Sequence, residues 1–301
     1  MQDGTNYWNF TELQIKEEDL KAVNRLKDIL AHNLAEFKPV VTFHMEDVSD
    51  KEIVFNIFIS ELHTHRICMI YYNGDVKETM SPCPKIAIII DDLGYDKKIA
   101  EAFIDIDLPL NLSVLPYAPF TEHVIKLAAK RGREILLHLP LEPKDYPSLN
   151  PGPGTLLRNM GDDEIREKLD GIFRQTPGIS GVNHHMGSHF TESSDKMSVV
   201  MSEIKKRGLF YVDSRTTALT VGYDIAKKIG VPAAKKSLFF DHDVTTMAIK
   251  YQMERLLSIA RYSGSAVGIG HPHPETLEIL SQYEDKLKQE YRVVPVSSLV
   301  N

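Results

Sequence analysis

Apolar and polar residues follow two different rhythms along this chain. Between residues 11 and 37, Leu13, Leu20, Val23, Leu26, Leu30 and Leu34 recur near helical spacing, and Pro39 ends the pattern. This predicts one amphipathic helix over 11–37. Residues 40–43, 53–62 and 67–72 predict strands, with a polar stretch at 63–66 and a turn at Asn73-Gly74-Asp75. Residues 1–80 therefore read as a small α+β unit. The segment Ser81-Pro82-Cys83-Pro84 reads as the join to a second domain over 85–301.

From Lys85 onward the rhythm becomes strand then helix, repeatedly. Strands are predicted over 86–90, 110–115, 134–139, 179–182, 209–212, 236–240, 266–269 and 291–295. Helices are predicted over 97–106, 121–130, 162–174, 195–207, 218–229, 245–262 and 274–288. Alternation of this kind predicts an α/β fold with a parallel sheet and helices outside it. The number of units suits a (β/α) barrel, complete or incomplete, with an open doubly wound sheet as the alternative. The long connection 140–160 holds Pro143, Pro147, Pro151 and Pro153, and such loops commonly line or cover a site.

Composition removes several function classes. The chain has 301 residues and a net charge of −7, and no basic stripe with interleaved aromatics, which argues against a nucleic-acid surface. Two cysteines, Cys68 and Cys83, are too few for a disulfide framework or a cysteine zinc site. No apolar run approaches the roughly 18 residues that span a bilayer, and no signal peptide is visible in MQDGTNYWNF. No GxGxxG follows a strand and no GxxxxGK[ST] occurs, so dinucleotide and P-loop readings lack support.

The chemistry-bearing residues follow the strands. The apolar run Ile86–Ile90 ends in Asp91-Asp92, two carboxylates where α/β folds place their ligands. One would hold a metal while the other acts as a base; the bland alternative is a helix N-cap. His138 lies at the end of the third strand, with a hydrogen-bonded core histidine as its alternative. The run GVNHHMGSHF brings Asn183, His184, His185, Ser188 and His189, and the HxxxH spacing of His185 and His189 is weak because glycines favour a loop there. Asp213-Ser214-Arg215 follows another strand, and Asp213 and Arg215 either pair with each other or line the rim. Asp241-His242-Asp243 reads as a helix N-terminus rather than a catalytic group, and His271-Pro272-His273 follows the seventh strand. Seven of the twelve histidines fall in this set, which packing does not explain. By contrast, His44, His63 and His65 of the first unit have no carboxylates converging on them and read as surface histidines. Imidazole and carboxylate are the ligand set of zinc and similar divalent metals, which polarise a carbonyl and lower the pKa of water.

In this order and spacing, IIDDLG, LLHLPLEP, GVNHHMGSHFT, YVDSRTT and GIGHPHPETL resemble the divergent polysaccharide deacetylase family. The resemblance covers the chain from Lys85 to its end and leaves the first unit unexplained. It implies a distorted (β/α) barrel and a zinc-type hydrolytic site that removes N- or O-acetyl groups from a sugar. Asp91 matches the base and Asp92 the carboxylate ligand, while His271 matches the histidine that protonates the leaving group. Asp92, His138 and His185 are the preferred ligands, with His189 as a substitute. Asp213, Arg215, Ser188 and His189 are the expected substrate-binding set. The resemblance also implies an extracytoplasmic bacterial setting and a carbohydrate partner, and says nothing of oligomeric state. An RxPxG-like motif after the fourth strand, usual in deacetylases, is absent.

Three functions therefore compete. The first is a metal-dependent carbohydrate deacetylase. The second is a non-catalytic protein that uses the rim to bind a glycan or a partner. The third is a metal hydrolase of another bond, in which Arg215 binds an anionic substrate group.

Overall fold

The computed structural model describes residues 11–17, 19–49, 52–59, 62–71 and 83–301. The chain divides into two units, Met1–Met80 and Ser81–Asn301. In the first, strand β1 (Thr11–Glu17) precedes helix α1 (Leu20–Ala35), followed by β2 (Val41–Ser49), β3 (Glu52–Ile59) and β4 (Leu62–Tyr71). The sheet order is β1-β4-β3-β2, with β1 parallel to β4 and the other pairs antiparallel. The single helix predicted over 11–37 is thus corrected to a strand and a shorter helix. Asp19, in extended conformation, accepts a hydrogen bond from Lys21 N (2.9 Å) and starts the helix there. Ahead of it, Ile15 pairs with Met69 across the sheet, so Leu13 and Ile15 belong to a strand with period two. Val23 of α1 packs with Ile53, Phe55, Ile57 and Met69 of the sheet to make the small core. The exposed His44 meets Phe58 edge-on, as a surface histidine. Asn73-Gly74-Asp75 and the His63 side chain lie outside the described residues. Neither Cys68 nor Cys83 forms a disulfide among the described residues.

The second unit runs β5 (Lys85–Leu93), α2 (Lys97–Asp105), β6 (Asn111–Val114), α3 (Thr121–Lys130), β7 (Glu134–Leu141), α4 (Asp162–Gln175) and β8 (Gly181–Met186). It continues with α5 (Ser194–Lys206), β9 (Phe210–Asp213), α6 (Gly222–Ile229), β10 (Ala233–Lys235), β11 (Leu238–Phe239), α7 (Thr246–Ser263), β12 (Ser265–Gly270), α8 (Pro274–Glu290) and β13 (Arg292–Val293). All pairings are parallel, in the order β10-β9-β8-β7-β6-β5-β12-β11, with β13 also on β5. The two ends of this order, β10 and β11, are consecutive in the chain and separated only by Lys236-Ser237. The sheet therefore curls round to bring its edges together, which removes the open doubly wound alternative. No ladder joins β10 to β11 among the described residues. Instead Lys236 N donates to Asp213 O (3.0 Å) and Ser237 N to Val267 O (2.8 Å), one toward each edge. The result is an incomplete (β/α) barrel. The predicted strand over 236–240 shortens to β11, because the chain crosses the gap at Lys236. Ala233–Lys235 was not predicted, since two alanines after Pro232 carry no strand pattern.

The unbroken apolar run of β5 reflects burial on both faces. Ile86, Ile88 and Ile90 pack under the helices, while Ala87 and Ile89 face the interior with Leu136, Phe210, Val212, Val267 and Ile269. Each fully buried isoleucine contributes about 2–3 kcal/mol. Val296, beyond β13, joins the interior core, and its N–H donates to Asn111 Oδ1 (2.8 Å).

Candidate metal centre and active site

The alternation of β5 breaks where its carboxylates begin. Asp91 continues the inward series of Ala87 and Ile89, and Asp92 would then turn outward. Asp92 instead adopts φ +55°, within a register shift of the β5–β6 pairing between Ile90 and Leu93. A left-handed non-glycine residue is strained, and such strain concentrates at functional sites. Gly94, φ +125°, then lets the turn pass so close to Ala118 that a Cβ would lie 2.8 Å from it.

Two neighbouring strands supply imidazoles to Asp92. On β7, Leu137 and Leu139 face the helices and His138 faces inward; on β8, Val182 faces out while Asn183 and His185 face in. The ligand atoms of Asp92, His138 and His185 all lie within 4.8 Å of one another. His138 Nε2 is 3.1 Å and His185 Nδ1 2.8 Å from Asp92 Oδ1. Yet that oxygen is buried without a hydrogen-bond partner, so neither contact has the direction of a hydrogen bond.

The tautomer of His138 explains this. Asn183 Nδ2 donates to Asp91 Oδ1 (2.7 Å), which leaves Asn183 Oδ1 to accept from Ser113 Oγ (2.5 Å) and from His138 Nδ1 (3.0 Å). With its proton on Nδ1, His138 leaves an unprotonated Nε2 3.1 Å from the carboxylate oxygen. Two electron-rich atoms this close in a buried site repel unless a cation balances them. The electrostatics agree. Burial raises the Asp92 pKa, but His138 and His185 lower it further, well below the usual carboxylate range. Burial lowers the His138 pKa, while Asp91 and Asp92 raise it above the ordinary imidazole value. The three groups together call for added positive charge. Their chemistry, two imidazoles and one carboxylate with an open side, fits a divalent metal such as zinc.

His271 stands beyond the end of β12. Its Nδ1 lies 2.8 Å from Asp241 Oδ1, and Asp241 Oδ2 accepts from His271 N and from Thr276 Oγ1 (2.8 Å). The β11–β12 register, Phe239 opposite Ile269, places Asp241 level with His271. Burial lowers the His271 pKa, but the hydrogen bond and charge of Asp241, with help from Asp91 and Asp92, raise it to about 9. His271 is therefore a cation at neutral pH, with Nδ1 engaged by Asp241. The expectation that Asp241 belongs to a helix N-terminus is corrected. Thr245 caps α7 and Asp243 Oδ1 accepts from Thr245 N (3.0 Å), leaving Asp241 to orient His271. Asp241, His271 and His273 also lie within metal-ligand reach of one another, but both Asp241 oxygens are already hydrogen-bonded.

The expected substrate-binding residues have diverse surroundings. Asp213 is 1% exposed, and its oxygens accept from Arg215 N (2.9 Å), Thr220 Oγ1 (3.0 Å) and Tyr223 N (2.9 Å), with His184 Nε2 at 3.3 Å. Burial raises its pKa, and His184 with the backbone donors brings it down to about 2. Asp213 thus shapes the loop from the inside, and meets Arg215 through the backbone rather than as an ion pair. Ser188 Oγ accepts from Lys144 N (3.1 Å), and His189 Nδ1 lies 3.0 Å from Glu142 Oε1. Both fasten the start of the long connection after β7, and His189 stands outside the three-residue cluster. In that connection Gly154, φ +85°, lies where a Cβ would come within 2.7 Å of the Tyr117 ring. The exposed aromatics Tyr95, Tyr117 and Phe120 follow the ends of β5 and β6. Sequence reasoning assigned no role to Ser113, Asn183 or Lys236. Only the position of Asn183 opposite His138, one strand over, would have signalled its part.

No helix among the described residues is long and apolar enough to cross a membrane. The protein YibQ of Escherichia coli (strain K12), described as uncharacterized, is 33% identical over 217 residues, 72% of this chain and 67% of its own length. An uncharacterized protein of Haemophilus influenzae is 29% identical over 215 residues, 71% of this chain and 76% of its own. Among solved structures, the uncharacterized protein ATU2773 from Agrobacterium tumefaciens C58 superposes with a TM-score of 0.69 at 30% identity, covering 72% of this chain and 89% of that one. The family model described as divergent polysaccharide deacetylase matches residues 88–300, from the heart of β5 nearly to the last residue. The chain belongs to the divergent polysaccharide deacetylase family.

Proposed function

We propose that this protein is a metal-dependent hydrolase that removes acetyl groups from a carbohydrate, with Asp92, His138 and His185 as the metal ligands. The observation that carries this reading is the buried Asp92 Oδ1, without a hydrogen-bond partner although two imidazole nitrogens lie 2.8 and 3.1 Å from it. Zinc, when bound there, supplies Lewis-acid polarisation of the acyl carbonyl and a lowered pKa for water. The chain's own groups move the protons. Asp91, held by Asn183, accepts a proton from water as its oxygen bonds to the acyl carbon. His271, cationic and fixed by Asp241, gives a proton to the sugar nitrogen or oxygen as its bond to that carbon breaks. The products are acetate and a free amine or hydroxyl. Tyr95, Tyr117 and Phe120 offer ring faces to a sugar beside the site. The family's description supports an acetylated polysaccharide as the substrate, and a cell-envelope polysaccharide is the one this reading takes.

Acetate release from N- and O-acetylated oligosaccharides tests the reading. Zinc-loaded wild type is expected to release acetate, and Asp91→Asn or His271→Gln to lower the rate by roughly 10²–10⁴. Absence of turnover with zinc stoichiometrically bound would leave a glycan-binding protein on a deacetylase-like barrel.

A further inference from the structure

The gap where the barrel fails to close holds a lysine that the deacetylase reading does not use. Lys236, between β10 and β11, is only 9% exposed, yet its ammonium has no hydrogen bond or ion pair among the described residues. Nζ sits 3.0 Å from the centroid of the Phe239 ring, and Phe239 in turn stacks on His271 at 5.7 Å. A buried cation without a counterion is expensive, and folded chains keep one chiefly where something arrives to pair with it.

A second cation stands close by. Arg215 follows β9 at φ +47°, another left-handed non-glycine residue, and its exposed guanidinium also has no partner among the described residues. One aspartate holds both: Asp213 O accepts from Lys236 N (3.0 Å), and Asp213 Oδ1 accepts from Arg215 N (2.9 Å). Burial brings the Lys236 pKa down to about 7, with Asp91 and Asp213 raising it and Arg215 lowering it further. The β9–β10 register sets Lys235 opposite Asp213, so Lys236 and Arg215 leave adjacent strand ends at one rim, and Phe239 lies between Lys236 and His271.

We propose that Lys236 and Arg215 form an oxyanion subsite, so that the carbohydrate bound here carries a carboxylate or phosphate substituent beside the group being hydrolysed. This rests on the carbohydrate part of the functional reading but not on turnover. The anion would give Lys236 the counterion that burial denies it and meet the planar fork of Arg215 at the rim. Asp213 fixes the backbone of both residues.

Binding, rather than activity, tests the subsite. Glucuronate and glucose 6-phosphate, neither of them acetylated, would be titrated calorimetrically against zinc-loaded protein, with glucose as the neutral control. At least one anionic sugar is expected to bind roughly tenfold or more tightly than glucose, and the stronger of the two identifies the substituent. That preference should vanish in Lys236→Met at unchanged zinc content and weaken in Arg215→Gln, whose exposed position leaves folding intact. No preference in the wild type would overturn the proposal. So would a preference that survives in Lys236→Met, because the anion would then sit on the metal. If Lys236→Met fails to fold, an undiminished preference in Arg215→Gln overturns the paired site. A Lys236-dependent preference without acetate release would sustain the subsite while the deacetylase reading fell.

Discussion

Asn183 Oδ1 lies 3.0 Å from His138 Nδ1, and that contact decides which nitrogen of His138 faces Asp92. The amide can point this way only because its other end is committed to Asp91. One side chain therefore sets the tautomer of a proposed ligand and holds the proposed base, and coupling of this kind is common behind metal-bound histidines.

Replacing Asn183 with leucine should accordingly weaken zinc binding by about 10–100-fold, although Asn183 is not itself a ligand. Competition against a chelator of known affinity reads this directly. Unchanged affinity would mean that the tautomer is set elsewhere.

The three proposed ligands should be separable from His189, the second histidine of the HxxxH spacing. Metal content by mass spectrometry should show near-stoichiometric zinc in the wild type, little in Asp92→Ala or His185→Ala, and full retention in His189→Ala. His189 is tied to Glu142 rather than to Asp92. Zinc lost on His189 replacement would move the site.

The state of His271 depends on Asp241, and the sign follows from the raised pKa of about 9. An ordinary imidazole titrates near 6.5. In metal-free protein, Asp241→Asn should move the His271 titration, followed by NMR, down by a unit or more. For stability, a group whose folded pKa is raised contributes fully below the unfolded value and loses that contribution as pH rises through the folded one. Denaturant unfolding between pH 6.5 and 9 should thus show a decline in the wild type that is absent in His271→Gln. In activity, the alkaline limb should lie near the folded pKa and shift to lower pH in Asp241→Asn.

Asp213 should matter more to folding than its place on the rim suggests. Its removal leaves the Thr220 hydroxyl and the N–H groups of Arg215 and Tyr223 without their acceptor. Asp213→Ala is expected to cost about 3–5 kcal/mol in denaturant unfolding. Because its folded pKa is depressed to about 2, its contribution persists at neutral pH and fades only as pH falls from about 4 toward 2. A loss under 1 kcal/mol would mean that the loop closes without it.

The sequence by itself determined the alternation of strands and helices, because burial on two faces and on one leaves different periods in the residues. The Ile86–Ile90 run and the helix over 121–130 follow from local chemistry alone. It also determined that Asp91, Asp92, His138, His185 and His271 gather at one rim, since parallel strands deliver their ends to the same side. Its failure at residues 11–17 has a plain cause: Leu13 and Leu20 are seven apart, which suits two helical turns, and only pairing with β4 made the segment a strand. Tertiary structure alone decided which rim residues meet. The twist at Asp92 reverses the expected alternation, and the register of β7 on β8 sets Asn183 against His138. The curl of the sheet brings Asp241 to His271 and leaves Lys236 in the gap. These are contacts between residues tens of positions apart, and no local pattern of apolar and polar residues encodes them.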